Sequence, residues 1–278
     1  MAARRSRSPQ LIVGAALVAL LVLAGLLSLV WTPYDPAALD VTNKMAPPWT
    51  DGHLLGTDQL GRDVVAQLMA GALNSLLVAV LSTAGAVVLG VALGLTAAGG
   101  GRFWSDTLTR ATDVAIALPG ILVALVLATF FGPSNTTAIV AIVVWFVPGA
   151  ARIVIGPARQ VLAREFVEAA MAYGRSRSFV LFRHVLPNLG PLIIVMASMM
   201  FAGAILTEAA LSYLGLGAQR PTPSWGRLLF ESQSVIGQAP SLVVFPGVCI
   251  MLAVLGFNLL GDGLRSRLDP RHAREVVV

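Results

Sequence analysis

Along the 278-residue chain, long uncharged apolar runs alternate with short segments that hold nearly all of the charge. A bilayer core of about 30 Å needs roughly 20 apolar helical residues, so each such run predicts one crossing. Leu11 to Trp31 is the first. Asp63 and Arg102 bracket the second, whose core runs from about Leu76 to Ala98. Asp113 and Arg152 bracket a run long enough for two more, interrupted by FFGPSNTT. The Gly, Pro, Ser and Asn of that interruption supply turn chemistry, which makes spans three and four a tight hairpin. Pro187 to Leu206 and Val243 to Leu260 are the fifth and sixth. Ahead of span two, Asp58 is placed to cap a helix starting at Gln59, with Val64, Val65, Leu68, Ala72 and Leu76 along one apolar face, an interfacial lead-in to the crossing. No internal repeat is visible. The expected fold class is all-α, a polytopic membrane protein with six transmembrane helices.

Composition agrees with that pattern and charge orients it. The chain is 56% hydrophobic and 12% charged, with mean hydropathy +0.81, whereas a soluble domain carries about a quarter charged residues. Six crossings put both ends on one side. With the N-terminus inside, the inner segments hold Arg4, Arg5, Arg7, Arg102, Arg110, Arg152, Arg159, Arg164, Arg175, Arg177, Arg183, Arg265, Arg267, Arg271 and Arg274. The outer ones hold only Lys44, Arg62, Arg220 and Arg227. This bias predicts cytoplasmic N- and C-termini in a cell membrane. The opening MAARRSRSPQ is like the basic start of a signal peptide, but the apolar run after it is too long and lacks a small-residue cleavage site, so the first helix is expected to be retained. A net charge of +5 raises the question of nucleic acid; the arginines are scattered between spans rather than gathered in a stripe, so the lipid bilayer is the expected partner and nucleic acid is not. Cys249 alone allows no internal disulfide, and His53, His184 and His272 are too far apart for a local metal motif, so no metal site is expected.

One inter-span segment is unusually rich. After span four, PARQVLAREFVEAAMAY spaces Val161, Leu162, Phe166, Ala169, Ala170 and Tyr173 as one amphipathic helix. Gly174 ends it, since a left-handed residue past the last turn costs least without a Cβ. Ser176 or Ser178 then caps a second short helix, SFVLFRHV, and Pro187 stops or bends the chain as it returns to the membrane. The product is a helix-turn-helix lying flat on the inner face, charged on one side and small or apolar on the other.

Glu168-Ala169-Ala170, three residues, Gly174, nine residues to His184 and then Leu186-Pro187 resembles the EAA motif of ATP-binding cassette (ABC) importer permeases, E-A-A-x3-G-x9-I-x-L-P. His184 departs from the Ile of that pattern, and RHVLPN looks like the variant of the dipeptide, oligopeptide and nickel permease family. HLLGTDQLGRDVVAQLMAGALNSL, TDVAIALPGIL and EAALSYLGLGAQRPTPSWGRLL look like further parts of the C-type subunit of dipeptide permeases, so the resemblance covers most of the chain. It implies a type I ABC importer permease fold: an N-terminal helix (about 11–31) and outer segment within 1–71, a five-helix permease core over 72–262 with the EAA loop at 156–187, and a cytoplasmic tail over 263–278. It implies a non-enzymatic subunit that forms half of a pathway for di- or oligopeptides, with nickel or another small solute as the alternative. The implied partners are a homologous second permease in a heterodimer, two ABC ATPase subunits and an extracytoplasmic substrate-binding protein. Glu168, Ala169, Ala170, Gly174, His184, Leu186 and Pro187 would be the coupling residues. No cofactor is expected in this chain: AAGGGRF lacks the Lys and Ser/Thr of a phosphate-binding loop, leaving ATP and magnesium to the partners.

Other positions invite weaker readings. Glu208, near the outer end of span five, either reaches the interface or pairs with Arg220 or Arg227, and Arg152 snorkels or touches the partner permease. Trp225, in PTPSWGRLLF, is an interfacial anchor or part of a docking surface for the binding protein. Pro119, Pro148 and Pro246 are kinks rather than ligands. The span interiors supply no paired catalytic groups for an intramembrane enzyme. A channel or assembly protein is opposed only by the EAA spacing.

Overall fold

The computed structural model describes residues 9–50 and 52–268. Arg4, Arg5, Arg7, Arg271, Arg274 and His272, and with them most of the predicted tail, lie outside the described residues. Among the described residues eleven α-helices follow one another: α1 (Pro9–Leu27), α2 (Val64–Gly99), α3 (Arg102–Ile116), α4 (Gly120–Phe131), α5 (Asn135–Leu162), α6 (Glu165–Ala172), α7 (Arg177–Val180), α8 (Leu186–Asn188), α9 (Gly190–Tyr213), α10 (Trp225–Ser232) and α11 (Ser241–Leu268). A π-turn, Leu181–Val185, joins α7 to α8. Among the described residues there is no strand, only two isolated bridges. The helices α1, α2, α5, α9 and α11 are each long and apolar enough to cross a bilayer.

The third crossing differs from expectation. Its residues form two helices, α3 and α4, bent by 85° at Ala117–Pro119. Pro119 lacks the N–H that would continue α3 and holds extended dihedrals as the N-cap of α4. At 12 residues α4 is about 18 Å long, too short to span alone. The hairpin that follows is as tight as FFGPSNTT predicts, since only 132–134 separate α4 from α5. Ser134 caps α5 by accepting the Thr137 N–H at 3.1 Å. The second crossing differs too. Its helix starts at Val64, not Gln59, and runs 36 residues without a break, so the lead-in and the span are one rod. Asp63 is the cap, its Oδ2 accepting the Ala66 N–H at 2.8 Å. Asp58 instead accepts from the Leu60 and Arg62 N–H groups in the loop before it.

Two apolar clusters fill the bundle, one toward each end. The first packs Leu76, Ala79, Ile142, Ile205, Leu211 and Trp225 where α2, α5, α9 and α10 meet. The second packs Val91, Leu95, Val154, Val161 and Met196 against Val167, Val180, Val185 and Leu189 of the α5–α9 connection. Small residues let α2 and α5 approach closely: a Cβ on Gly90 would lie 3.1 Å from the Val147 carbonyl oxygen and 3.2 Å from the Ala151 backbone nitrogen. Neither backbone atom can rotate away. Gly90→Leu should therefore destabilise the fold by about 1–3 kcal/mol through overpacking, read as earlier thermal unfolding in detergent; an unchanged transition would refute this account of the α2–α5 contact.

Candidate functional site: the α5–α9 elbow

The predicted single helix over 157–173 is divided. Its first half extends α5 to Leu162, and its second half is the separate helix α6. The break falls at Ala163-Arg164, where Arg164 takes extended dihedrals (φ −85°, ψ 146°) and the Arg164 N–H turns back to the Val161 carbonyl at 3.1 Å. Gly174 ends α6 at φ +79°, a left-handed conformation that an L side chain adopts only under strain. Ser176 caps α7, accepting the Phe179 N–H at 3.2 Å. From there the chain turns through α8, which contains Pro187, into α9.

What holds this elbow is a row of valines. Val167, Val180 and Val185 are fully buried and pack on the ends of α2 and α5. Each such side chain contributes about 1.5–3 kcal/mol, enough to seat short helices that would not persist alone. The opposite side of the elbow stays free. Glu168, Ala169, Gly174 and Pro187 are exposed, Ala170, His184 and Leu186 are half-buried, and Tyr173 is 87% exposed. His184 joins the two arms: its ring lies edge-on to Phe166 of α6 (6.0 Å) and to Phe179 of α7 (5.8 Å), and the Arg175 guanidinium lies over the Phe179 ring at 5.0 Å. An aromatic cage of this kind has a geometric use for an imidazole where the general pattern carries Ile. The structure thus brings all seven sequence-predicted residues into one elbow. Sequence reasoning missed the buried valines, whose only signal is their apolar character inside a charged segment.

At the opposite end of the bundle several expectations fail. Glu208 neither reaches the surface nor meets an arginine; it is 1% exposed, and its Oε1 accepts a hydrogen bond from Ser212 Oγ at 2.7 Å. Arg220 and Arg227 bind Glu231 instead, through their Nε atoms at 2.7 and 2.9 Å. Arg62 joins the same carboxylate at 2.5 Å and Asp58 at 2.6 Å. Burial alone would raise the Glu231 pKa; the hydrogen bonds from Arg220 and Arg62 outweigh it and bring it down to about 2. Trp225 is not an anchor in the interface but fully buried, its Nε1–H donating to the Leu68 carbonyl at 3.2 Å. At the elbow end, Arg152 of α5 lies 3.3 Å from Asp113 of α3, both side chains about half exposed.

A bundle of long apolar helices whose fourth and fifth crossings are joined by an exposed, glycine-hinged elbow is the architecture of a type I ABC importer permease. Residues 86–274 match the family of binding-protein-dependent transport system inner membrane components, and the chain belongs to that family. It is therefore a multi-pass membrane protein and a transport component. Among its relatives, the dipeptide transport system permease protein DppC of Alkalihalophilus pseudofirmus is 40% identical, the match covering 94% of this chain and 85% of that one. The glutathione transport system permease protein GsiD of Escherichia coli O6:K15:H31 is 37% identical over 96% of this chain and 89% of that one. In fold, the chain is similar to a chain of the MetNI methionine ABC transporter, with a TM-score of 0.62 at 16% identity, covering 73% of this chain and 96% of that one.

Proposed function

We propose that this chain is the C-type permease subunit of a peptide importer, forming half of the transmembrane pathway for di- or oligopeptides beside a homologous second permease. Two ABC ATPase subunits would bind and hydrolyse ATP with magnesium, and an extracytoplasmic binding protein would deliver the cargo; the chain itself carries out no chemistry and holds no cofactor. The elbow faces the cytoplasm in this reading, as do both termini, and the Arg distribution supports that orientation. Residues 1–71 supply the first helix and the outer segment, 72–262 the permease core and 263–278 the cytoplasmic tail. The peptide cargo rests on the relatives' names and their similarity along nearly the whole chain.

The observation that carries this reading is the two-sidedness of the elbow. Its valines bind it to the ends of α2 and α5, while Glu168, Ala169 and Gly174 present a free surface with small side chains, so another protein's backbone can approach closely. Ala169 and Ala170 let α6 sit against an ATPase, Glu168 supplies a polar contact, and Gly174 sets the angle to α7. His184, Leu186 and Pro187 hold the second arm at the start of α9. Closure of the nucleotide dimer would then displace α5 and α9 together. Cysteine placed at Ala170, with Cys249 replaced by serine, should cross-link to a copurifying ATPase subunit, and the yield should change with nucleotide. An elbow labelled by a membrane-impermeant reagent from outside the cell would sink the proposal.

A further inference from the structure

Helix α10 is fastened to the bundle by a buried polar node remote from the elbow. At its centre is Glu208 of α9, 1% exposed, with Oε2 buried and without a hydrogen-bond partner among the described residues. Three serines from different elements surround the carboxyl group: Ser212 of α9, which donates to Oε1 at 2.7 Å, and Ser75 of α2 and Ser224, the N-cap of α10, which lie beside it. Each serine oxygen accepts a backbone N–H. Ala218 donates to Ser212 at 3.2 Å, Trp225 to Ser75 at 3.2 Å and Arg227 to Ser224 at 3.1 Å. A hydroxyl engaged in this way still has its own proton to give. One carboxyl group can thus gather hydroxyls whose acceptor sides already grip the 214–224 connection and the first turn of α10. The nearby cations do not compete, since Arg62, Arg220 and Arg227 are bound to Glu231.

Resting on the permease reading above, we propose that Glu208 is a positioning residue for transport: its carboxyl group ties α10 and the 214–224 connection to α2 and α9. The outer cap then moves with α9 when the elbow at the other end of that helix is displaced. Leaving a buried carboxyl oxygen unpartnered is costly, and closing of Ser75 or Ser224 onto Oε2 would recover that cost. A node with one carboxyl oxygen still open can tighten, and a shift of that kind is what a moving α9 can bias.

The test uses the complete complex in proteoliposomes, with the second permease, both ATPase subunits and the binding protein present. Glu208→Ala should lower import about tenfold while ATP hydrolysis stays within about twofold, raising the ATP consumed per solute. Glu208→Gln should restore coupling, because the amide keeps an acceptor for Ser212 and offers N–H groups to the other two serines. Ser224→Ala, a smaller lesion, should change the ratio in the same direction. Cysteines at Ala70 and Thr222, which line one cavity of about 380 Å³, should cross-link with a nucleotide-dependent yield in the Cys249→Ser background and lose that dependence with Glu208→Ala. Normal import by Glu208→Ala, or a parallel fall of import and hydrolysis in Ala and Gln variants of assembled complex, would overturn the role of Glu208. A wild-type chain that neither assembles with ATPases nor imports would instead overturn the permease reading beneath it.

Discussion

Gly174→Asp should abolish peptide uptake while the protein still accumulates in the membrane. The residue sits at φ +79° with nothing among the described residues within 4 Å of where a Cβ would stand. Aspartate therefore meets no clash, and its damage comes from the backbone. Holding a non-glycine residue in the left-handed region costs about 1–2 kcal/mol, and the chain can relieve that cost only by rotating α6 against α7. The new carboxylate also adds charge to a surface that already carries Glu165 and Glu168. Both effects fall on the free side of the elbow and spare the valines that seat it, so folding is preserved and coupling is lost. The measurement is uptake of a labelled dipeptide beside immunodetection of the chain in membranes and of copurifying ATPase. Normal uptake by this variant would remove the elbow from the mechanism.

The second large effect is expected on stability. Glu231→Ala leaves the 7%-exposed Arg62 with Asp58 alone and frees Arg220 and Arg227 at one stroke. Removing one partner from a buried ion pair costs about 3–5 kcal/mol, partly offset here because Arg220 is half-exposed and Asp58 still holds Arg62. A fall in Tm of the order of 10 °C in detergent is expected, and Glu231→Gln should share most of it because the amide keeps the shape but not the charge. The pH dependence has a definite sign. The folded-state pKa of Glu231 is depressed from 4.5 to about 2, so its contribution is complete above about pH 4.5 and drains away as pH falls toward 2. Wild-type protein should lose stability across that window, and Glu231→Gln should lose less. Equal Tm values at neutral pH for wild type and both variants would contradict the role assigned to this cluster.

The elbow shows why some sites can be read from sequence. Its instructions are local: an apolar period for α6, a glycine where the backbone must turn left-handed, a serine three residues before the N–H it caps, a proline at the return. Each acts within one or two turns, so the motif Glu168-Ala169-Ala170 through Pro187 is legible before any neighbour is known. What stayed hidden is the break at Ala163-Arg164, since nothing in ARQVLAREFVEAAM forbids a continuous helix. Seating Val161 on α5 and Val167 of α6 in one cluster with Val154 and Val180 is a tertiary demand, and the helix breaks to meet it.

The amino-acid sequence by itself determined five of the six apolar rods, roughly where they lie, the sided distribution of arginine and the chemistry of the elbow, but not the 85° break in the third crossing. These follow from transfer free energy and backbone geometry, which act residue by residue. Only the tertiary structure decided which polar groups meet. Arg62 and Glu231 are separated by 169 residues, Ser75 and Trp225 by 150, and no spacing rule links such pairs. Glu208 was expected to look outward because an ionisable group at membrane depth seeks water or a countercharge. Ser212, one turn further along α9, partners one of its oxygens instead, inside a pocket that closes only once α2 and α10 are packed against that helix.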